Sequence, residues 1–215
     1  MEEKIEGIDK EVFSFIMERR LKWVMDEHLF FVEFLGIGHC SCENGQACHI
    51  DEIQWDVIHD FCEMTRVKFA KSKGVDVGDK ELIANKRGVS VMSGKGPGKT
   101  FMASLIAIWF LVCFEGARVV IMGPKYDQVK AQIWAEVMKW LAHAEKVFGS
   151  NCWAKLLLER VGDSVIMKQV FDIERGRRWL MRIKTFPKNS TPEEQSAAIQ
   201  GEHEKNMLFL IDEAS

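Results

Sequence analysis

Apolar residues fall in a helical rhythm along the first part of the chain. Val12, Phe13, Phe15 and Ile16 are followed by Leu21, Val24 and Met25, then by Leu29 and Phe30. That spacing predicts a helix over residues 8–36, ended by Gly36 and Gly38. After a Cys- and Gly-containing loop, Asp51 stands as the N-cap of a second helix, "EIQWDVIHDFCEMTRVKFAKS". Residues 72–80 read as a polar linker containing glycine. From residue 88 the pattern changes. "GVSVM" is a short β-branched run, followed by a glycine-rich turn and a helix to about Phe114. "ARVVIMGP" predicts a second buried strand, and the segment from Tyr126 to Gly149 a long helix. "DSVIMKQVF" and "RRWLMRIKTF" read as two strands, joined as a hairpin across "DIERG"; "MLFLIDEAS" reads as a third buried strand. Strand, helix, strand, helix predicts an α/β fold built on a parallel sheet. The division expected is a helical N-terminal region, 1–80, and an α/β core, 81–215.

Composition bounds what such a fold can do. With 215 residues and 47% hydrophobic residues, a sizeable core is available. The net charge of −3 gives no global basic excess of the kind that marks a nucleic-acid binder, so DNA contact would need a local patch. The longest apolar run, Phe101 to Phe114 interrupted only by Ser104, is short for a bilayer span and fits a buried helix. The acidic, polar start "MEEKIEGIDKEVF" lacks the pattern of an export signal. A soluble cytoplasmic protein with its six cysteines reduced is expected.

The glycine turn carries the chemistry. Ser93, Gly94, Lys95, Gly96, Pro97, Gly98, Lys99 and Thr100 match a phosphate-binding loop, except that Ser93 stands where the pattern opens on Gly. Glycines allow backbone N–H groups to turn around phosphate oxygens, and the helix that follows adds the positive end of its dipole. Lys99 would reach the β- and γ-phosphates, and Thr100 would ligate Mg²⁺. The plainer reading is an ordinary Gly-rich turn. Against it stands "LFLIDEA", which places Asp212 and Glu213 at the end of a strand about 110 residues downstream. Asp212 would hold Mg²⁺ and Glu213 would orient and deprotonate the attacking water.

Several segments together resemble the phage terminase large subunits, the motors that package DNA into a procapsid. Glu213 directly after Asp212 is similar to the acidic pair of the additional-strand, RecA-like ATPases. "IMGPKYDQVKAQIWAEV" resembles the terminase segment after the second strand, and "QGEHEKNMLFLIDEAS" the stretch that leads into Asp-Glu-Ala. Gln54, about forty residues ahead of the loop, resembles the adenine-reading glutamine of such proteins. The resemblance spans roughly residues 50–215. It implies a P-loop ATPase core with a helical N-terminal lid, using ATP and Mg²⁺ to translocate double-stranded DNA. It also implies a ring of identical subunits docked on a portal protein and fed by a small terminase subunit, in the host cytoplasm, with no membrane role. Lys95 stands where terminases carry an arginine finger; it keeps the charge and loses the planar fork. Arg87 is another basic residue nearby, read more simply as solvated at a strand start.

The family continues beyond the Asp-Glu pair with further strands and a nuclease, so a truncated fragment with weak or no turnover is expected here. A superfamily 2-type helicase or DNA-dependent ATPase shares the glutamine, the loop and Asp-Glu-Ala, and an inactive nucleotide-binding remnant is a third reading. Smaller signals remain. His39, Cys40, Cys42, Cys48 and His49 include enough ligand atoms for Zn²⁺, but lack the usual paired spacing, and a reduced loop is the simpler expectation. Arg175, Arg177, Arg178, Arg182 and Lys184 would form either a phosphate or subunit contact or a solvated hairpin face. Trp134 and Trp140 have core spacing, and His203 reads as a turn residue before the last strand.

Overall fold

The computed structural model describes residues 10–38, 50–86, 88–91, 98–168, 179–185 and 204–212. The first predicted helix is two: α1, Lys10–Met25, and α2, Glu27–Leu35. Asp26 separates them. Its backbone is extended and its carboxylate accepts the Leu29 N–H at 2.8 Å, which starts a new helix inside a continuous apolar stripe. Gly36 ends α2 in the left-handed conformation. Helix α3, Glu52–Ser72, opens on a capping box: Asp51 accepts from Gln54 N–H, and the Gln54 side chain accepts from Asp51 N–H. A short α4, Glu81–Ala84, lies against the C-terminal half of α3 through Lys71–Glu81 and Lys80–Glu63 ion pairs.

Helix α5, Lys99–Cys113, is apolar on every side and accordingly buried, with Leu105, Ile108, Trp109 and Leu111 fully enclosed. Strand β1, Arg118–Gly123, follows after a short turn. The long helix predicted next is continuous over residues 126–148 but changes pitch: α6, Tyr126–Val129, runs through a π turn at Lys130–Trp134 into α7, Ala135–Phe148. A short α8, Trp153–Leu157, leads into β2, Leu158–Val161, and β3, Ser164–Met167; β4, Leu180–Thr185, and β5, Met207–Ile211, complete the described strands.

The sheet has the order β2-β3-β4-β1-β5. β1 pairs in parallel with β4 (Val120 opposite Arg182) and with β5 (Val120 opposite Phe209). β2, β3 and β4 pair antiparallel. The wholly parallel sheet expected is therefore corrected to a mixed one with a parallel core. The reason is local: Gly162 and Asp163 alone join β2 to β3, and a two-residue turn can only return the chain antiparallel. The predicted "GVSVM" strand also differs. Residues 88–91 are described without strand pairing, and Val89 and Val91 are 44% and 38% exposed. β-branched residues favour an extended chain, but a strand exists only where a neighbour takes its hydrogen bonds. Likewise β5 is less buried than expected. Among the described residues it pairs only with β1, and Ile211 is 48% exposed.

Alternation decides the two faces of the sheet. Val119, Ile121, Met181 and Leu208 point to one side and share a single core with α5, α7 and α2. Arg118, Arg182 and Lys184 fall on the other side. The far end of α5 is held by partners from distant segments. Arg20 of α1 is buried and donates from Nε to Val112 O at 2.7 Å and from Nη2 to Cys113 O at 3.4 Å. Its guanidinium lies 4.5 Å from the Trp179 ring centre, and Trp179 Nε1 donates to Leu111 O at 2.6 Å. Burial pulls the Arg20 guanidinium down to about 10, so it stays charged at neutral pH beside the negative end of the helix dipole. Among the described residues no helix is long and apolar enough to cross a membrane.

Candidate functional site

Chain direction brings the candidate residues together. α5 and β1 are joined by the tight turn 114–117 and run in opposite directions, so the start of α5 lies at the end where β1 finishes. β5 is parallel to β1, so its C-terminal end is there too. Asp212 extends this pairing by one residue, its N–H donating to Met122 O at 2.9 Å. Gly98, Lys99 and Thr100 thus stand at the same edge of the sheet as Asp212. In parallel α/β sheets this carboxyl edge is where ligands bind.

Gly98 is the N-cap residue of α5, with φ 76° and ψ 25° in the left-handed region, and no side chain caps this helix start. Lys99 and Thr100 occupy the first turn and are half-buried. The first-turn N–H groups of a helix have no partner within the helix and carry its positive dipole end, which suits an anion. Gln54 arrives at the same point from α3: a Cβ on Gly98 would stand 2.4 Å from Gln54 Nε2. On the strand side, a Cβ on Gly123 would stand 2.5 Å from Val129 Cγ2 and 3.9 Å from Asp212 Cβ. The absence of a side chain at Gly123 is what lets α6 close down beside Asp212.

Ser93, Gly94, Lys95, Gly96, Pro97 and Glu213 lie outside the described residues, as do Arg87, His203 and the loop with His39, Cys40, Cys42, Cys48 and His49. Among the described residues no group of three or more His, Cys, Asp or Glu side chains is placed to hold a metal ion. The Thr100 hydroxyl and the Asp212 carboxylate are hard oxygen donors. A pair of that kind fits Mg²⁺, which keeps several of its waters and takes few protein ligands.

Sequence reasoning missed one polar junction at this edge. The Tyr126 hydroxyl donates to Asp163 Oδ2, and Lys130 Nζ lies 2.9 Å from Asp163 Oδ1. Hydrogen bonds from Tyr126, then Lys130, hold the Asp163 carboxyl below its usual range and raise both partners. The junction pins the β2–β3 turn to the start of α6, and a separation of 37 residues leaves no local signal for it. Of the basic cluster, Arg175, Arg177 and Arg178 lie outside the described residues. Arg182 is held below its usual range by burial and then by Arg118. Lys184 is held below its own by burial, then Arg182 and Arg118.

What the described residues define is a mixed α/β protein in which a buried helix begins beside a strand-end carboxylate at the carboxyl edge of parallel strands. The chain is similar to the probable terminase large subunit of Enterobacteria phage P7, with 34% identity over 127 residues, 59% of this chain. That match supports the resemblance to terminase large subunits read from the motifs. It spans 23% of the length of the phage P7 protein. No protein-family model matches the chain. No solved structure matches it either.

Proposed function

We propose that this chain is the nucleotide-binding portion of a phage DNA-packaging motor, a P-loop ATPase that couples ATP hydrolysis to translocation of double-stranded DNA. The arrival of the start of α5 and of Asp212 at one edge of the sheet carries this reading, and the similarity to a terminase large subunit supplies its biological setting. In it, residues 93–100 cradle the phosphates, with Lys99 on the β- and γ-phosphates and Lys95 as the basic finger. Thr100 and Asp212 hold Mg²⁺, and Glu213 activates water. Residues 1–80 form the lid that brings Gln54 to the base, and residues 81–215 the core. The partners proposed are double-stranded DNA, a portal protein, a small terminase subunit and further copies of the chain, all in the host cytoplasm.

Calorimetric titration tests the site without requiring turnover. ATP is expected to bind in the presence of Mg²⁺, and Asp212→Asn to weaken that binding by about tenfold while leaving Mg²⁺-free binding unchanged, as loss of one charged ligand requires. Equal affinity of wild type and variant with Mg²⁺ present would sink the assignment.

A further inference from the structure

The capping box at the start of α3 fixes which atoms Gln54 can offer a ligand. Asp51 N–H lies 3.3 Å from Gln54 Oε1. A backbone N–H can be met only by the oxygen of the side-chain amide, so the hydrogen bond assigns the amide orientation: Oε1 turns back to α3, and Nε2 faces Gly98 at the head of α5. The same helix turn is held from the other side by Asp51 Oδ1, which accepts Gln54 N–H at 2.8 Å. Gln54 is therefore held by both its backbone and its side-chain oxygen, and only amide N–H donors face the ligand end.

That restriction has a consequence for base choice. A glutamine that selects adenine presents oxygen and nitrogen side by side, accepting from the N6 amino group while donating to N7. Guanine offers acceptors at both N7 and O6. A donor-only edge meets N7 of either purine. It gains nothing from adenine N6, whose hydrogens it can only oppose.

We infer that the nucleotide site of this chain reads purines without preferring adenine, because the α3 capping box consumes the acceptor that adenine selection needs. The inference rests on the nucleotide-binding reading above. It makes Gln54 a specificity residue of an unexpected kind, and it predicts that GTP binds at least as well as ATP.

The experiment is a competition titration of the whole chain with ATP, GTP, CTP and inorganic tripolyphosphate, repeated with Gln54→Ala and Gln54→Glu. The expected result is ATP and GTP affinities within about threefold of one another, with CTP weaker, and a Gln54→Ala variant that weakens both purines alike. Gln54→Glu keeps an acceptor for Asp51 N–H, so α3 stays capped while the donor is lost; it is expected to weaken both purines as Gln54→Ala does. Tighter binding of ATP over GTP by tenfold or more, abolished by Gln54→Ala, overturns the inference and leaves the nucleotide site standing. Equal binding of ATP and tripolyphosphate, unaffected by either variant, overturns it differently, by removing Gln54 from the base. Failure of wild type to bind any of the four takes down the nucleotide reading and this inference with it.

Discussion

The two ends of α5 are finished differently. At its C-terminal end the carbonyls of Leu111, Val112 and Cys113 are met by Trp179 and Arg20, one from the segment before β4 and the other from α1. Everything there is buried, and each acceptor is matched by a donor from far away in sequence. At its N-terminal end Gly98 takes a left-handed conformation, no side chain caps the helix, and Lys99 and Thr100 are half-buried. Other helices of the chain do not share this openness: α2 and α3 both begin on an aspartate that accepts a first-turn N–H. A helix whose tail is anchored and whose head lacks a cap holds its first-turn donors at a fixed place for something else to use. An anion at that place meets oriented dipoles that need no rearrangement.

If the tail is an anchor, breaking it should cost stability above all. Arg20→Ala removes a charged donor from two buried carbonyls and its stacking on Trp179, and is expected to destabilise the fold by about 3 kcal/mol, the largest effect foreseen. Urea unfolding would measure it, as a fall in midpoint with little change in slope. A loss below about 0.5 kcal/mol would show that water replaces Arg20 at little cost, and the contrast between the two ends would collapse. The head should respond in the opposite sense. Lys99→Ala is expected to leave the unfolding midpoint within about 0.5 kcal/mol of wild type while lowering affinity for Mg-ATP by on the order of 100-fold. Unchanged affinity in that variant would mean that the uncapped head is not a phosphate site.

The same contrast explains what could be read from the chain. The head of α5 was legible because its signals are local: glycines, Lys99, Thr100 and an apolar run within about 20 residues. Asp51 as an N-cap was legible for the same reason, and so were the positions of β1, β3, β4 and β5. The tail was not legible. Arg20 meets Val112 across 92 positions, and a lone arginine in an amphipathic helix looks like any solvated one. Asp26 was hidden differently: it sits inside a continuous apolar stripe, so the rhythm that announced one helix concealed the cap that makes two. Residues 88–91 show the converse failure. Their β-branched pattern is local, but pairing is not. The antiparallel arm β2–β3 was half seen, because Leu158–Val161 carries too few apolar residues to announce a strand without its partner. At the site, Gln54 was chosen for a role at the base, but its part in the capping box needed Asp51 to be seen beside it.

Gly98 offers the finest probe of the head, because one substitution does two separable things there. An alanine must adopt φ near 76°, which costs roughly 1 kcal/mol for a residue with a Cβ. Its Cβ would also stand 2.4 Å from Gln54 Nε2, so the Gln54 side chain has to withdraw. Because that atom is the end of a flexible chain, withdrawal is cheap in contacts and is expected to break the Gln54 half of the capping box. Gly98→Ala should therefore cost about 1–2 kcal/mol, against about 1 kcal/mol for Gly98→Ala measured in a Gln54→Ala background, where the steric part is already gone. The difference between the two, a few tenths to one kcal/mol from a double-mutant cycle of unfolding midpoints, measures how firmly α3 is pressed against the head of α5. A coupling of zero would mean that Gln54 swings clear at no cost. The lid would then meet the phosphate end only loosely, and the anchored tail would stand as the one rigid end of the helix.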